Sequence, residues 1–475
     1  MSGPPRVDLD ALRALVAEPR GRRFLVVGLG RSGIAAARHL LARGARVSAT
    51  DRRSADDLGT GARALGEAGV TLHLGGHPAE AFRDVEAIVL SPGVDPALAP
   101  VAAAADRGVP LVSEIDLVAD RLGARVLAVT GTNGKSTTTA LLAAMLAEAG
   151  FDAVPCGNYG TPLVEAAEGD HPGRRYALEI SSFQLETTHL LRSGAAILLG
   201  VRPDHLDRHG SLAAYRAAKE RVFLLRAPGA PGICCVDDPL AAELARDARP
   251  PVLAVTLEGR TEAAGFVEED SLVLHLPGQP ATPLLPVDEL PLPGRHNRWN
   301  VLAAALAAAV AGAGVTEIAA AVRRFRALPH RLEEVAQVRG VLFVDDSKAT
   351  NVDAALRAIE AFPGRRLHVL LGGRDKDGDF RPLAAALAAA GARALVYGEA
   401  GPRIAAVLEA EGFRELERCD DLAEATRRAF AGAAPGDVVL LAPACASFDA
   451  FRSYAHRGET FAALARGIAR KEEQR

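Results

Sequence analysis

A glycine-rich segment, Thr-Gly-Thr-Asn-Gly-Lys-Ser-Thr at residues 130–137, lies inside the chain rather than at an end. The apolar run 126–129 precedes it, and the alanine- and leucine-rich run 138–149 follows it. This order predicts a strand, a tight turn and a helix, and therefore an α/β layer. Backbone N–H groups at a helix start, one lysine and one hydroxyl form a cradle for phosphate and Mg²⁺. The segment therefore predicts a bound nucleoside triphosphate.

The cradle departs from the usual spacing of such loops. The pattern G-x-x-x-x-G-K-[ST] would place its first glycine at position 129, where this chain has Val129, and the glycine follows at Gly131. Gly134, Lys135 and Ser136 keep the usual order at the predicted helix start. We therefore interpret the segment as a variant phosphate-binding loop.

Short β-branched runs alternate with helical stretches along the whole chain. The predicted strands are residues 24–27, 46–50, 87–90, 126–129, 177–180, 196–199, 341–344, 367–371, 394–397 and 438–441. This alternation predicts an α/β fold with mostly parallel sheets and helices on both faces. Residues 257–293, rich in Pro, Gly and acidic groups, are predicted to form antiparallel hairpins or an irregular insertion, and residues 301–326 a helical stretch.

Size and charge limit the function. A chain of 475 residues suggests about three domains. Its net charge of −4 argues against a general nucleic-acid binder. The five cysteines form no C-x-x-C pair, and the apolar runs are too short to span a membrane. We therefore expect a reduced, cytoplasmic protein.

A second glycine-rich turn, Gly28-Leu29-Gly30-Arg31-Ser32-Gly33, follows the first predicted strand. Asp51 ends the next strand and is followed by Arg52. The glycines allow a pyrophosphate to approach the backbone closely. The motif alone is consistent with NAD, with another diphosphate ligand, or with a turn that binds nothing.

Polar residues near other strand ends are candidates for chemistry. Glu179 interrupts an apolar strand, which suits a Mg²⁺ ligand or a salt-bridged structural carboxylate. His205, in Asp204-His205-Leu206-Asp207, suits a metal ligand or an ordinary loop, and Lys219 follows in a helix. Asp346 and Lys348 adjoin a third strand end.

One helix cap is also predicted, and a second is one of two alternatives. Asn351 is a natural N-cap for the helix after the strand 341–344. Ser447, after the strand 438–441, could cap a helix or offer its hydroxyl to a carboxylate.

These segments together resemble the Mur ligase family from about Phe24 to about Phe461. The resemblance rests on residues 131–137, 181–186, 204–208, 296–297, 328–331, 346–351 and 444–448. Ser-Phe-Gln-Leu-Glu, Asp-Ser-Lys-Ala-Thr-Asn and Ala-Cys-Ala-Ser-Phe-Asp are typical of the member that adds D-glutamate. Asp345 stands where that member often has asparagine, Asp377 where glycine is usual, and Tyr454 where phenylalanine is often seen.

The resemblance implies three domains and one reaction. Residues 1–123 would form a Rossmann-like domain for the UDP-sugar, 124–327 a P-loop domain for ATP, and 328–475 a Rossmann-like domain for the amino acid. ATP would phosphorylate the alanyl carboxylate of UDP-N-acetylmuramoyl-L-alanine, and D-glutamate would attack the acyl phosphate, in peptidoglycan precursor synthesis. ATP and Mg²⁺ would be required, and a monomer is expected.

The resemblance also assigns roles residue by residue. The catalytic residues would be Lys135, Glu179, His205 and Lys219. The metal ligands would be Ser136, Glu179, His205 and Lys219 as a carbamate. The ATP site would comprise Gly131, Thr132, Asn133, Gly134, Lys135, Ser136, Thr137, Asn300, Arg331, Asp346 and Lys348. The UDP-sugar site would comprise Gly30, Arg31, Ser32, Asp51, Arg52, Ser91, Gly93 and Asn158. The D-glutamate site would comprise Thr350, Lys376, Ser447, Phe448 and Tyr454.

Three alternatives stay open at this point. A nicotinamide-dependent oxidoreductase would use the first glycine turn but leave the phosphate loop without a task. A nucleotide-regulated binding protein would release no phosphate. A sister ligase of the same family would add a different amino acid.

Overall fold

The computed structural model describes residues 7–259 and 263–473. It divides into two compact units. The first comprises Met1–Val201, Ala213–Leu285 and Asn300–Val322, and the second comprises Arg202–Leu212, Pro286–Trp299 and Arg323–Arg475. Across the described residues, no helix combines the length and apolar character that a membrane crossing requires.

The first sheet has five parallel strands in the order β3-β2-β1-β4-β5. Its strands are β1 Arg23–Val27, β2 Arg46–Asp51, β3 Thr71–Leu74, β4 Ala87–Leu90 and β5 Leu111–Val112. The helices around it are α1 Leu9–Ala17, α2 Arg31–Ala42, α3 Ala55–Glu67, α4 Ala99–Asp106 and α5 Asp116–Leu122. Because β1 lies between β2 and β4, the chain changes direction beside it, and a crevice opens at the carboxyl ends of these strands.

The second sheet has nine strands in the order β14-β13-β12-β11-β10-β9-β6-β8-β7. Its strands are β6 Val126–Thr130, β7 Asp152–Gly157, β8 Arg174–Glu179, β9 Ala195–Leu198, β10 Gly232–Cys235, β11 Val252–Val255, β12 Gly265–Glu268, β13 Ser271–Leu274 and β14 Thr282–Pro286. β12 and β13 pair antiparallel, which confirms the predicted hairpin within 257–293; residues 260–262 of that range lie outside the described residues.

Between residues 131 and 326 of the chain, the helices are α6 Lys135–Glu148, α7 Leu163–Ala166, α8 Ser182–Thr187, α9 Leu206–His209, α10 Leu212–Leu224, α11 Pro239–Asp247, α12 Arg295–Val310 and α13 Val315–Arg324. The helical stretch predicted over 301–326 is helical in the structure but consists of two helices, α12 and α13. Gly312 adopts a φ of 101°, a conformation that ends a helix, and α13 begins afterwards at Val315.

The third sheet has six strands in the order β15-β16-β20-β17-β18-β19. They are β15 Glu333–Val338, β16 Val341–Asp345, β17 Leu367–Gly372, β18 Arg393–Tyr397, β19 Leu416–Arg418 and β20 Val438–Ala444. The helices are α14 Val352–Glu360, α15 Arg381–Ala389, α16 Gly401–Ala410, α17 Leu422–Ala431 and α18 Tyr454–Glu473. β15 pairs antiparallel with β16, and the other strand pairs are parallel, so the carboxyl ends of β16, β20 and β17 are neighbours.

Candidate functional site

The phosphate-binding loop connects β6, whose residues are all buried, to α6. Gly131 and Gly134 adopt φ values of 151° and 83°, in the region that favours glycine. Gly134 is the N-cap, so α6 begins at Lys135, three residues earlier than the predicted run 138–149. Thr132, Ser136 and Thr137 are buried, and Asn133 is partly buried. The backbone thus presents the start of a long helix at the end of a central strand.

Two lysines converge on one carbonyl of this loop. Lys135 Nζ donates to the Gly131 oxygen at 2.9 Å and to the Thr132 oxygen at 2.8 Å. Lys219, in α10, is 1% exposed and donates to the same Gly131 oxygen at 2.8 Å. Its ammonium also lies 4.7 Å from the centre of the Tyr215 ring. Two cations sharing one neutral acceptor create a local positive potential that suits phosphate.

Asn300, in α12, packs against the loop and leaves no room for a side chain at Gly134. It is 5% exposed, and a Cβ added at Gly134 would lie 2.4 Å from its Oδ1. Gly134 therefore has a steric reason to be glycine as well as its positive φ.

Glu179 ends β8, beside β6, where it is aligned with Val129. It is 2% exposed, and its Oε1 accepts a hydrogen bond from Asn158 Nδ2 at 2.6 Å. Its Oε2 is buried and has no hydrogen-bond partner among the residues that the structure describes. A buried carboxylate oxygen without a partner is costly, and Mg²⁺ binds such oxygens. The donor set thus fits a divalent cation beside the phosphate loop.

His205 belongs to the second compact unit, whereas Glu179 belongs to the first. The pairing of these two residues on one metal therefore stays a prediction. His205 has a φ of 54°, and its backbone N–H donates to Asp204 Oδ1 at 3.0 Å. Asp204 also accepts from Asn351 Nδ2 at 3.1 Å and lies 3.7 Å from Lys376 Nζ. The predicted D-glutamate residue Lys376 thus already lies near a carboxylate of its own unit.

A cavity of about 760 Å³ lies at the carboxyl ends of β1, β2 and β4. It is lined by seven of the eight residues predicted for the UDP-sugar: Gly30, Arg31, Ser32, Asp51, Arg52, Ser91 and Gly93. Gly28, Arg53, His77, Pro92, Val94, Asp95 and Leu98 also line it. A Cβ at Gly33 would lie 1.9 Å from the Gly28 oxygen, so this glycine allows α2 to approach β1 closely.

The carboxylate of Asp51, at the wall of this cavity, accepts hydrogen bonds from Leu29 and Arg53. Its Oδ2 accepts from the Leu29 backbone N–H at 2.7 Å, and Arg53 donates to both carboxylate oxygens at 3.0 and 2.9 Å. Burial, the largest influence, raises the pKa of Asp51, but the hydrogen bonds from Arg53 and Leu29 together outweigh it and lower this pKa to about 2. The carboxylate therefore stabilises the glycine turn.

Asn158 is not among the residues that line this cavity. It follows β7, and its side chain donates to Glu179 instead. The register that aligns Gly157 with Glu179 brings the two residues together.

In the third sheet, Asp346 and Lys348 follow β16 as predicted. Burial raises the pKa of Asp346 to about 7, although the charge of Arg331 favours the anion. The Lys348 ammonium lies 3.7 Å from the centre of the Tyr454 ring, a contact that the phenylalanine often seen there would also provide. The structure thus brings Arg331, Asp346, Lys348 and Tyr454 to one edge of this sheet.

The predicted cap at Asn351 and the possible cap at Ser447 have different outcomes. Asn351 caps α14 and accepts from the Ala354 N–H at 2.8 Å, which confirms the first. Of the two alternatives for Ser447, the helix cap was wrong, because turns follow β20 and α18 begins only at Tyr454. Ser447 is 2% exposed, whereas its neighbour Phe448 is 63% exposed. Thr350 is partly buried beside Lys348, to whose carbonyl it donates its N–H at 2.8 Å.

The structure shows the surroundings of Asp345 and the backbone conformation of Asp377, two residues that depart from the family pattern. Asp345 is fully buried, with its Oδ2 2.7 Å from His330 Nδ1. A Cβ at Gly458 would lie 2.4 Å from this oxygen, so α18 packs directly on the pair. Asp377 adopts a φ of 58°, the conformation in which glycine is favoured. Sequence reasoning missed the pair; the Asp-Asp sequence at the end of β16 was the available signal.

Three domain descriptions of one family match the chain. They are the Mur ligase MurD-like N-terminal domain over residues 22–113, the Mur ligase middle domain over residues 129–308, and the Mur ligase glutamate ligase domain over residues 330–445. These matches confirm the predicted three-domain α/β architecture. The boundaries at 123/124 and 327/328 stay predictions.

Relatives match over nearly the whole chain. The UDP-N-acetylmuramoylalanine–D-glutamate ligase of Acidobacterium capsulatum is 44% identical over 94% of this chain and 96% of its own length. The protein of the same name from Koribacter versatilis is 40% identical over 96% of this chain and 99% of its own length.

Solved structures share the fold at low identity. A pseudomurein peptide ligase type C from Methanothermus fervidus has a TM-score of 0.59 at 16% identity and covers 94% of this chain and 100% of its own. MurF ligase from Thermotoga maritima, solved in complex with ADP, has a TM-score of 0.57 at 17% identity and covers 96% of this chain and 97% of its own. Together with the two relatives and the three domain matches, these results assign the protein's family: the chain belongs to the Mur ligases.

Proposed function

We propose that the protein joins D-glutamate to UDP-N-acetylmuramoyl-L-alanine and converts ATP to ADP and phosphate, in the synthesis of peptidoglycan precursors. Relatives that are named for this activity match the chain over nearly its full length. The observation that carries the proposal is the convergence of Lys135 and Lys219 on the Gly131 carbonyl, with Glu179 ending the adjacent strand. Lys135 as a cation for the phosphate, with Lys219 and Glu179 beside it as groups that can hold a metal ion, suits transfer of a phosphoryl group to a carboxylate.

The chemistry proceeds in two steps. The alanyl carboxylate attacks the γ-phosphorus of ATP, the bond to the β-phosphate oxygen breaks, and ADP leaves. The amine nitrogen of D-glutamate then attacks the acyl carbon and loses a proton, and the tetrahedral intermediate expels inorganic phosphate to leave an amide. Phosphorylation is needed because a free carboxylate is a poor electrophile. The protein contributes mainly positioning and charge neutralisation.

The residues divide among these tasks. Lys135 holds the transferred phosphoryl group, and Asn300, Arg331, Asp346 and Lys348 hold the rest of ATP. The cavity of the first sheet takes the UDP-sugar, whose reacting end Asn158 contacts. Thr350, Lys376, Ser447, Phe448 and Tyr454 surround D-glutamate. The buried oxygen of Glu179, with Ser136, His205 and a carbamylated Lys219, provides ligands for Mg²⁺, which when bound supplies charge neutralisation for the phosphates.

The deciding experiment measures phosphate release. The protein is incubated with ATP, Mg²⁺ and UDP-N-acetylmuramoyl-L-alanine, and D-glutamate, L-glutamate, L-alanine or a diamino acid is added in separate reactions. We expect release with D-glutamate. Release only with L-alanine or a diamino acid would assign the protein to a sister ligase, and no release with any amino acid would favour a nucleotide-regulated binding protein.

The carbamate on Lys219 has its own test. A carbamate would exchange one of the two cations at Gly131 for an anion that can bind metal. Lys219→Ala should therefore lose activity that bicarbonate or a short-chain carboxylic acid partly restores. Full activity of the variant without any addition would contradict this role.

We further propose a cytoplasmic location and a monomeric state. All five cysteines are free, which suits a reducing compartment. Cell fractionation tests the location, and light scattering at several protein concentrations tests the oligomeric state.

A further inference from the structure

Arg457, in α18, is a fully buried arginine that the predicted active-site set does not include. Its guanidinium donates five hydrogen bonds. Nε and Nη2 reach Ser347 Oγ and the Ser347 carbonyl, both at 2.9 Å. Nη2 also reaches the Cys445 carbonyl at 3.1 Å, and Nη1 reaches the carbonyls of Gly372 and Ala446, both at 3.3 Å. Every one of these acceptors is uncharged.

The acceptors lie at the carboxyl ends of three neighbouring strands. Ser347 follows β16, Gly372 ends β17, and Cys445 and Ala446 follow β20, which lies between the other two strands. Each segment carries residues proposed to bind substrate. Ser347 lies between Asp346 and Lys348, Ala446 precedes Ser447, and Gly372 begins the turn that leads to Lys376. One side chain therefore connects the ATP segment with both D-glutamate segments.

Burial of this charge is costly. A guanidinium that leaves water without a carboxylate partner loses much of its hydration energy, and an apolar side chain of similar volume would avoid the cost. Only arginine offers five donors in one rigid plane, whereas the three donors of lysine radiate from one atom. Arginine therefore suits this position, where hydrogen bonds must be donated in several fixed directions.

The backbone around Arg457 is adapted to it. A Cβ at Gly373 would lie 2.9 Å from Arg457 Nη1 and 2.2 Å from the Ala446 carbonyl. Arg374 and Ala446 exchange two backbone hydrogen bonds of 2.8 and 2.9 Å across the same gap. The turns after β17 and β20 are therefore held against each other, with the guanidinium beneath them.

We propose that Arg457 is a positioning residue, which holds the ends of β16, β17 and β20 in the arrangement that binds ATP and D-glutamate. This inference rests on the proposed function, because it assigns those segments to these two substrates. The charge of Arg457 adds positive potential on the side where carboxylate and phosphate groups bind.

The kinetic test compares Arg457→Lys with Arg466→Lys, an exposed arginine on the same helix. We expect Arg457→Lys to raise KM for D-glutamate and for ATP about tenfold, because small displacements of binding groups weaken both sites. KM for UDP-N-acetylmuramoyl-L-alanine should stay unchanged, since its cavity lies in the first sheet. A purely structural role would lower the folded fraction, and hence the apparent kcat, without changing any KM. Three unchanged KM values, or an equal rise in all three, would overturn the inference.

A second measurement does not depend on activity. In hydrogen exchange at equal folded fraction, the amides of Arg374 and Ala446 should exchange faster in Arg457→Lys than in Arg466→Lys. Unchanged exchange at both amides would overturn the inference whatever the ligase assay shows. Ser347→Ala, which removes one acceptor, should show a smaller change of the same kind, and it serves if Arg457→Lys does not fold. A wild-type protein that releases no phosphate with D-glutamate would instead contradict the proposed function.

Discussion

Two glycine-rich turns in this molecule share a backbone design and differ in their electrostatics. One connects β1 to α2, the other connects β6 to α6, and each lies beside a carboxylate that ends a neighbouring strand. Asp51, beside the first turn, receives hydrogen bonds on both of its oxygens. Glu179, beside the second, receives one from Asn158 on Oε1, while its buried Oε2 has no hydrogen-bond partner among the described residues.

The carboxylate beside the first turn is therefore hydrogen-bonded on both oxygens by its own chain, whereas the carboxylate beside the second keeps one buried oxygen that a ligand can use. At the first turn the carboxylate of Asp51 stabilises the fold. Other residues that line the cavity are then the ones that bind the UDP-sugar. At the second, two cations and an incompletely paired anion are held together at a cost in stability. We therefore expect substitutions at the second turn to affect catalysis, and those at Asp51 to affect stability.

Lys135→Ala should have the largest effect. The charge that holds the transferred phosphoryl group is lost, so kcat should fall about a thousandfold or more. The melting temperature should change far less than kcat, because the hydrogen bonds of Lys135 to the Gly131 and Thr132 carbonyls lie within its own loop. Phosphate release and thermal denaturation check both statements, with the exposed Lys471→Ala as the control. Substantial remaining activity would contradict the catalytic role of the second turn.

Glu179→Gln should lower kcat roughly a hundredfold, because the metal loses an anionic ligand. The melting temperature should stay the same or rise, since a buried and incompletely paired charge is removed. Raised Mg²⁺ should restore part of the activity. Glu168→Gln, at an exposed position in the same unit, is the control. A melting temperature several degrees lower would show that Glu179 is structural.

Arg31→Ala tests recognition at the first turn. Arg31 lines the cavity, and its guanidinium donates to the Gly160 carbonyl. Loss of this cation should raise KM for UDP-N-acetylmuramoyl-L-alanine about tenfold and leave KM for ATP unchanged. Steady-state kinetics distinguish the two, and Arg38→Ala, exposed on the same helix, should be indistinguishable from the wild type. An equal change in both KM values would contradict a role confined to the first cavity.

Asp51→Asn should have the smallest effect on turnover and a measurable one on stability. The folded-state pKa of Asp51, about 2, lies below the ordinary value of 3.8. Its stabilising contribution is therefore complete above the ordinary value and is lost as pH falls through this interval. The variant should melt a few degrees below the wild type at about pH 7, and the difference should shrink towards pH 3. A difference that does not depend on pH would rule out the charge of Asp51 as the cause.

The central strands could be predicted from sequence, whereas the edge strands could not. β1, β6 and β16 are apolar runs because helices cover both of their faces. β7 contains Pro155, and β15 begins with two glutamates and lacks a strict alternation of polar and apolar residues, so both resemble loops. Their places depend on pairing with distant strands.

The site residues divide in the same way, into those that a local pattern predicts and those that depend on distant parts of the chain. Lys135 and Ser136 follow from the local motif, and Asn351 from capping chemistry. The contact between Asn158 and Glu179 depends on the register of β7 and β8, which no local pattern reveals. Arg457 is one of several arginines on α18, and its importance appears only once β20 is known to lie between β16 and β17.

The insertion of β20 has a consequence for how the protein is made. Val438 pairs with both Leu342 and Leu367, so a strand synthesised late must enter between two that were synthesised much earlier. While the ribosome is still translating the intervening residues, β16 and β17 each expose an unpaired apolar edge, the kind of surface that recruits chaperones or aggregates. The third sheet is therefore the part of the nascent chain that we expect to depend most on chaperones.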